Sequence, residues 1–555
     1  MTDAEDRKPH SDESRGVFDP EVTSEFAIPA GLDVSKAGAE PETTSEFAVP
    51  EGLDVPAPGA AESEGSAFTT PSTYSAGQAP PAFTPPDGLP RVSLTKDAPW
   101  QDRMRTMLRM PVAERPAPEA AQKADDAGPA VPRVLDLTLR IGELLLAGGE
   151  GAEDVEAAMF AVCRSYGLDR CEPTVTFTLL SISHQPSLVD DPVTASRTVR
   201  RRATDYTRLA AVFRLVDDLS DPENHLSLEE AYRRLAEIRR NRHPYPTWVL
   251  TLASGLLAGA ASILVGGDVL VFFAAAIGAM LGDRLAWWFA ARGLPEFYQF
   301  VVAAMPPAAV GITLAVAHID VRASAVITGG LFALLPGRAL VAGVQDGLTG
   351  FYITAAARLL EVMYLFVGIV VGVLVVLYFG VQLGAQLNPD AALMIAERPG
   401  IQIAASMLLS LTFAVLLQQE RSTVLAVTLN GGVAWCVYGA MHYAGNLSPV
   451  ASTAVAAGLV GLFGQLLSRY RYASALPYTT AAIGPLLPGS ATYFGVLSIA
   501  QNEVNSGLAS LTKAAALAMA IAIGVNLGAE LSRLFLRVPG AATAGRRAAK
   551  RTRGF

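Results

Sequence analysis

The sequence predicts a polytopic α-helical membrane protein of about ten spans, built as a 5+5 inverted repeat, with a small cytoplasmic α+β domain and a disordered N-terminal tail. Three observations carry that reading. Charged residues make up 17% of the 555 and hydrophobic ones 51%, whereas a soluble domain holds about 25% charged residues. Residues 246–540 contain 12 Lys/Arg and 11 Asp/Glu, separated by uncharged runs such as Val301–Ile319 and Val362–Pro389, and runs of this length cross a bilayer as helices. Within this region Leu-Leu-Pro-Gly appears at residues 334–337 and again 152 residues later, at 486–489.

The tail, residues 1–130, carries 11 Lys/Arg against 23 Asp/Glu and is rich in Pro, Ala, Ser and Glu. It buries too little apolar surface to offset the entropy of ordering. Thr23–Val34 and Ser45–Val55 share Ser-Glu-Phe-Ala-x-Pro-x-Gly-Leu-Asp-Val, and Phe83–Leu89 is a weaker copy. This repeat reads either as duplicated low-complexity sequence or as a docking motif for a cytoplasmic partner. Residues 97–110 set Trp100, Met104, Met107 and Leu108 among Arg103, Arg105 and Arg109, the pattern of a short basic amphipathic helix at the inner membrane surface. The long acidic N-terminus has no apolar core, which predicts no signal peptide. The net charge of −9 resides in this tail and argues against nucleic acid as a partner.

Residues 131–245 read as a folded cytoplasmic α+β domain. Leu135, Leu137, Leu139, Ile141, Leu144 and Leu145 fit a helix ending at Gly148-Gly149, and Ala152–Tyr166 fits a second. Glu172–His184 alternates threonines with Val175, Phe177 and Leu179 as one half-buried strand. A second strand falls near 192–200, followed by helices near 205–219 and 227–241. Gly148-Gly149-Glu150-Gly151 joins two helices and lacks the lysine of a phosphate-binding loop, so it reads as a helix turn. His184 near Asp190 and Asp191 invites an acid–base role, but no positioned nucleophile accompanies it. Cys163, Cys171 and Cys436 have neither disulfide nor zinc spacing, and neither a metal nor a cofactor is expected.

Charges, glycines and prolines place ten spans near 247–266, 269–291, 297–317, 322–344, 350–379, 400–418, 423–441, 449–467, 475–498 and 506–533. They form transmembrane repeat 1 (246–379) and repeat 2 (400–535), followed by a basic tail at 541–555. Arg284, Arg292, Arg421, Arg469, Arg471 and the C-terminal basic run fall in inside loops, and Arg322 and Arg398 outside. Both termini are therefore expected in the cytoplasm. The offset of 152 also pairs Gly343 with Gly495 and Val344 with Val496. With five spans per half, the second copy begins on the opposite side of the membrane. Such inverted repeats build secondary transporters, whose discontinuous helices line a substrate site. Pro336, Gly337, Pro488 and Gly489 are the expected breaks, since proline removes a backbone donor and glycine permits a sharp bend. Plain kinks are the alternative.

Charges inside spans are costly and are functional candidates by default. Arg358 and Glu361 sit three apart on one helix face, and Glu361 corresponds to Lys513 under the 152 offset. Opposite charges at equivalent positions suit a gate; permanent ion pairing or snorkelling is the structural alternative. Desolvation brings carboxylate protonation toward physiological pH, which makes Asp346, Glu361 and Glu503 the proton-coupling candidates. Asn430, Asn502 and Asn526 add neutral polar atoms suited to a zwitterion. The GxxxG spacings at 255–259, 278–282, 368–372 and 524–528 read as close helix packing.

Taken together, Leu135–Val155, the Thr174–Ser183 strand, Leu335-Pro-Gly, Asp346-Gly-Leu-Thr-Gly350 with Ala357-Arg358, and Pro485-Leu-Leu-Pro-Gly489 resemble the bacterial threonine/serine exporter family over residues 131–535. The resemblance implies a cytoplasmic N-terminal domain, ten spans and proton-motive export of threonine and serine through the bacterial cytoplasmic membrane. It also agrees with halves that occur as separate chains in some bacteria. The expected protein is thus a secondary transporter rather than an enzyme, with amino acid, protons and lipid as partners. Oligomeric state is open. A membrane-anchored hydrolase whose cytoplasmic domain feeds a pore is the alternative.

Overall fold

The computed structural model describes residues 100–108, 131–187, 189–200, 205–221, 224, 226–241, 243–319, 321–383, 398–471, 474–500 and 503–535. The tail repeats, Asn502 and the basic run 541–555 lie outside them. All described residues belong to one unit, Leu89–Phe555.

The first described element is a helix, α1 (Trp100–Leu108), inside the segment expected to be disordered through residue 130. Trp100 and Met104, one turn apart, are buried, with the Trp100 ring 5.7 Å from that of Phe213, and Arg105 pairs with Asp154. The apolar face assigned above to a membrane surface is instead covered by the α/β core. That burial is what orders these residues.

Helices α2 (Val131–Ala147) and α3 (Ala152–Ser165) form a hairpin on an antiparallel meander of β1 (Cys171–Thr176), β2 (Leu179–His184) and β3 (Val193–Thr198). Cys171 lies opposite His184 and Leu179 opposite Thr198. The single strand expected over 172–184 is therefore corrected to two. Phe177 turns the chain with φ 42, and its N–H donates to Thr354 Oγ1 at 3.2 Å. A tertiary contact holds this turn, and no Gly, Pro, Asn or Asp announces it. Two capped helices complete the unit. Asp205 accepts from the Arg208 N–H at the start of α4 (Tyr206–Ser220), and Ser227 from the Glu230 N–H at the start of α5 (Leu228–Arg240).

Glu156 on α3 accepts from the Val175 N–H at 3.0 Å, and burial pushes its carboxyl up to about 7. Folding therefore favours the protonated form. Stability is full below the ordinary value of 4.5 and falls as the pH rises toward 7. Glu156→Gln keeps an acceptor and removes the charge. It is expected to flatten thermal stability between pH 5 and 8, gaining up to about 3 kcal/mol at the upper end; an unchanged pH profile in thermal unfolding would contradict this.

Eight helices are long and apolar enough to cross a membrane: α6 (Thr247–Leu264), α7 (Val269–Ala290), α8 (Glu296–Val316), α11 (Tyr352–Gln382), α12 (Pro399–Leu416), α13 (Arg421–Gly439), α14 (Pro449–Arg471) and α17 (Val504–Phe535). The other two expected spans are broken. Helices α9 (Ala323–Phe332) and α10 (Gly337–Leu348) are separated at Leu335-Pro336. Helix α15 (Leu476–Thr480) is followed by a single 3-10 turn, Gly484–Leu486, and then α16 (Gly489–Ala500). Each half thus runs through three long helices, a broken segment and one very long helix.

The two breaks face one another. A Cβ on Gly337 would lie 2.7 Å from Leu487 Cδ1, and one on Gly489 would lie 2.7 Å from Leu335 Cδ1, so each glycine makes room for the leucine preceding the other Pro-Gly. Backbone bonds repeat at the same offset. Leu340 donates to Pro336 O and Thr492 to Pro488 O, both at 3.1 Å; Phe351 donates to Asp346 O and Glu503 to Ser498 O, both at 2.8 Å. The Gly368–Gly372 face of α11 meets α8 as the Gly524–Gly528 face of α17 meets α14, the close approach that small residues permit.

Candidate functional site

Asp346 lies in the last turn of α10, about 14 Å from the Gly337 break by helical rise. The chain reverses at Thr349-Gly350, which brings Arg358 of α11 back beside it. Arg358 Nη1 sits 2.9 Å from Asp346 Oδ2, and the residues are only 5% and 1% exposed. A pair this buried needs further hydrogen bonds to offset desolvation, and the α/β unit supplies them. The Ala152 N–H donates to Asp346 Oδ1 at 3.1 Å, and Arg358 Nη2 donates to the Glu150 carbonyl at 2.9 Å. The Glu150 carbonyl belongs to the turn between α2 and α3 and the Ala152 N–H to the first residue of α3 that ends it; Gly149 in the turn has φ 90, a left-handed conformation that favours glycine.

The Glu150 side chain reaches across to the second half, where its carboxylate accepts from Ser474 Oγ at 3.0 Å. Burial, reinforced by the Asp154 carboxylate, pushes the Glu150 carboxyl up to about 8, against the pull of Ser474, Arg105 and Arg358. A cavity of about 120 Å³ opens beside this turn, with Gln345 of α10, Thr349 just after it, Ser474, Thr479 of α15 and Asn526 of α17 in its wall. Further along, the Tyr206 and Thr207 N–H groups donate to Leu417 O and Gln418 O at 3.1 Å, and Tyr206 Oη donates to Thr480 Oγ1 at 3.3 Å. The α/β unit is thereby fastened to both halves.

Of the residues singled out in the sequence, Pro336, Gly337, Pro488 and Gly489 lie at the mutually packed breaks, away from the charged pair. Arg358, three residues before Glu361, turns to Asp346. Glu361 is half-buried on α11, while Lys513 and Glu503 are exposed on α17 and just ahead of it. Asn526 lines the cavity. Asn430 does not: its amide donates to Val460 O and Tyr478 O at 3.3 and 3.5 Å, holding backbone near the short α15. Glu150 and Ser474 were missed by sequence reasoning. The signal available for Glu150 was an acidic residue flanked by glycines, in a turn too tight to be only a linker.

His184 is buried with Nδ1 3.5 Å from Cys171 Sγ, and the Cys171 thiol is held above its ordinary range by Cys163 and by burial. Among the described residues no group of three His, Cys, Asp or Glu side chains could hold a metal.

Fold and site define a multi-pass helical membrane protein with a buried charged pair and a polar cavity between its halves. Family comparison divides the chain the same way. Residues 136–380 match the model described as "Putative threonine/serine exporter", and residues 402–529 match "Threonine/Serine exporter, ThrE". A "Probable threonine/serine exporter" of Mycobacterium tuberculosis is 34% identical over 412 residues, 72% of this chain and 76% of that one. A "Threonine/serine exporter" of Corynebacterium glutamicum is 30% identical over 448 residues, 79% of this chain and 90% of that one. No solved structure matches. The chain belongs to the threonine/serine exporter family.

Proposed function

We propose that this protein exports threonine and serine across the bacterial cytoplasmic membrane, driven by the proton motive force. The carrying observation is the Asp346–Arg358 pair, buried beside a small polar cavity that both halves line. A volume of about 120 Å³ is far below the roughly 300–1,000 Å³ of a drug-sized site and suits a small ligand. Gln345, Ser474 and Asn526 in the cavity wall offer hydrogen-bonding atoms to a hydroxyl. In this reading the two halves are inverted-topology repeats giving ten membrane segments, the α/β unit and both termini are cytoplasmic, and the facing Pro-Gly breaks are where the halves move against each other. The equivalent packing and backbone bonds at the 152 offset support it.

Asp346, Glu361 and Glu503 are the proposed proton carriers, and Glu361 with Lys513 the proposed gate charges. Glu361→Gln and Lys513→Met are each expected to abolish export of preloaded threonine from cells while leaving membrane insertion intact; full export by both variants removes the gate. The reading as a whole is tested by counterflow of threonine and serine in proteoliposomes with and without a pH gradient. Absence of transport of either amino acid would sink it.

A further inference from the structure

We infer that Asp346 and Arg358 bind the α-ammonium and α-carboxylate groups of the transported amino acid, and that the Gly149–Ala152 turn occupies their place here as a main-chain substitute. This rests on the exporter reading and deepens it. The turn presents one acceptor and one donor close together: the Glu150 carbonyl on Arg358 Nη2 at 2.9 Å and the Ala152 N–H on Asp346 Oδ1 at 3.1 Å. An α-amino acid presents the same pair of groups, a carboxylate for a guanidinium and an ammonium for a carboxylate, one carbon apart. The substitution is chemically unequal. Backbone groups are neutral dipoles, whereas a zwitterion brings full charges, and hydrogen bonds between two ionised partners are stronger and shorter.

The surroundings fit the same ligand. The cavity extends from the turn between α10 and α17, with Gln345, Ser474 and Asn526 in its wall; the buried Asn526 Nδ2 has no hydrogen-bond partner among the described residues. A hydroxyl carried on the β-carbon of a bound amino acid finds these polar atoms in the cavity wall. Substrate entry and turn docking then become alternatives at one site, since the same Arg358 and Asp346 atoms cannot serve both.

Ala152→Pro separates the two without disturbing the helix. Ala152 is the first residue of α3, where proline is favoured because its N–H is not needed by the helix. Gly151 before it already has φ −65 and ψ 148, the extended conformation a proline requires of its predecessor. The change removes the donor to Asp346 and sets a ring carbon against the carboxylate. On the full-length protein in detergent, L-threonine binding is expected to tighten about tenfold in Ala152→Pro, the loss of one competing charge-assisted bond. In the wild type, L-threonine is expected to raise hydrogen exchange over residues 148–155, a measurement that stands even if the variant folds poorly. Threonine that binds while exchange at the turn is unchanged or slowed overturns the inference and leaves the exporter reading intact, as does weaker binding by folded Ala152→Pro. No binding or transport of threonine or serine by the wild type sinks both.

Discussion

Threonine export is expected to fall by about a hundredfold in Asp346→Asn and in Arg358→Gln, each of which removes one charge-assisted contact to a zwitterion. The single variants are also expected to lose stability, because either leaves a buried charge uncompensated at about 3–5 kcal/mol. The decisive comparison is the double variant Asp346→Asn/Arg358→Gln. It leaves neither partner's charge uncompensated, so the stability lost by each single variant should largely return while export stays at least about a hundredfold down. Stability is read from thermal unfolding in detergent, and export from proteoliposomes loaded with threonine. A double variant that exports like the wild type would reduce the pair to a structural tie between α10 and α11 and remove it from the transport path.

Docking of the Gly149–Ala152 turn is expected to weaken as the pH rises from about 5 to 8, and Glu150 is the reason. Its carboxyl is pushed up to about 8 when buried against Ser474, from an ordinary value of 4.5, so the docked turn holds a proton that the released turn gives up. The sign follows: docking is strongest below the ordinary value and loses about 1.4 kcal/mol per pH unit, close to tenfold, until the raised value is passed. The charged groups facing Glu150 are Asp154 and Arg105 from α3 and α1, and Arg358 from α11; Glu153 and Glu530 line the same cavity. Hydrogen exchange at residues 148–155, corrected for its intrinsic pH dependence, should rise across this interval in the wild type and stay level in Glu150→Gln. Equal slopes would assign the effect to another group. If the turn is the substrate's competitor, an alkaline medium around the α/β unit favours an open site.

Much of the fold was legible because local chemistry and tertiary structure agree. Pro336-Gly337 and Pro488-Gly489 interrupt their helices as proline and glycine do anywhere, and the leucines before them made the repeat visible. The helices of the α/β unit followed from apolar spacing and from the glycines that end α2. Where reasoning fell short, the determining contact was distant in sequence. The turn at Phe177 is held by Thr354, 177 residues away, and nothing at Phe177-Thr178 resembles a turn. Proximity on one helix face suggested Glu361 for Arg358, and the reversal at Thr349-Gly350 also sets Asp346 2.9 Å from its Nη1, a contact no local spacing announces. The Gly149–Ala152 turn was recognised as a turn, yet its partner Asp346 lies 194 residues beyond Ala152, a separation that carries no periodic signal. Trp100 and Met104 were read for their amphipathic face, and only the folded unit shows what covers it.

One asymmetry bears on stoichiometry. The 152 offset that carries the breaks, the glycines and the capping bonds from one half to the other carries Asp346 to Ser498 and Arg358 to Ser510. Two frames of matching backbone therefore hold one pair of opposite charges. A duplicated scaffold with two charged pairs would load two amino acids, or one from either side on equal terms. On the inferred zwitterion site, the described residues hold one such pair, so threonine titration of the purified protein should follow a one-site isotherm.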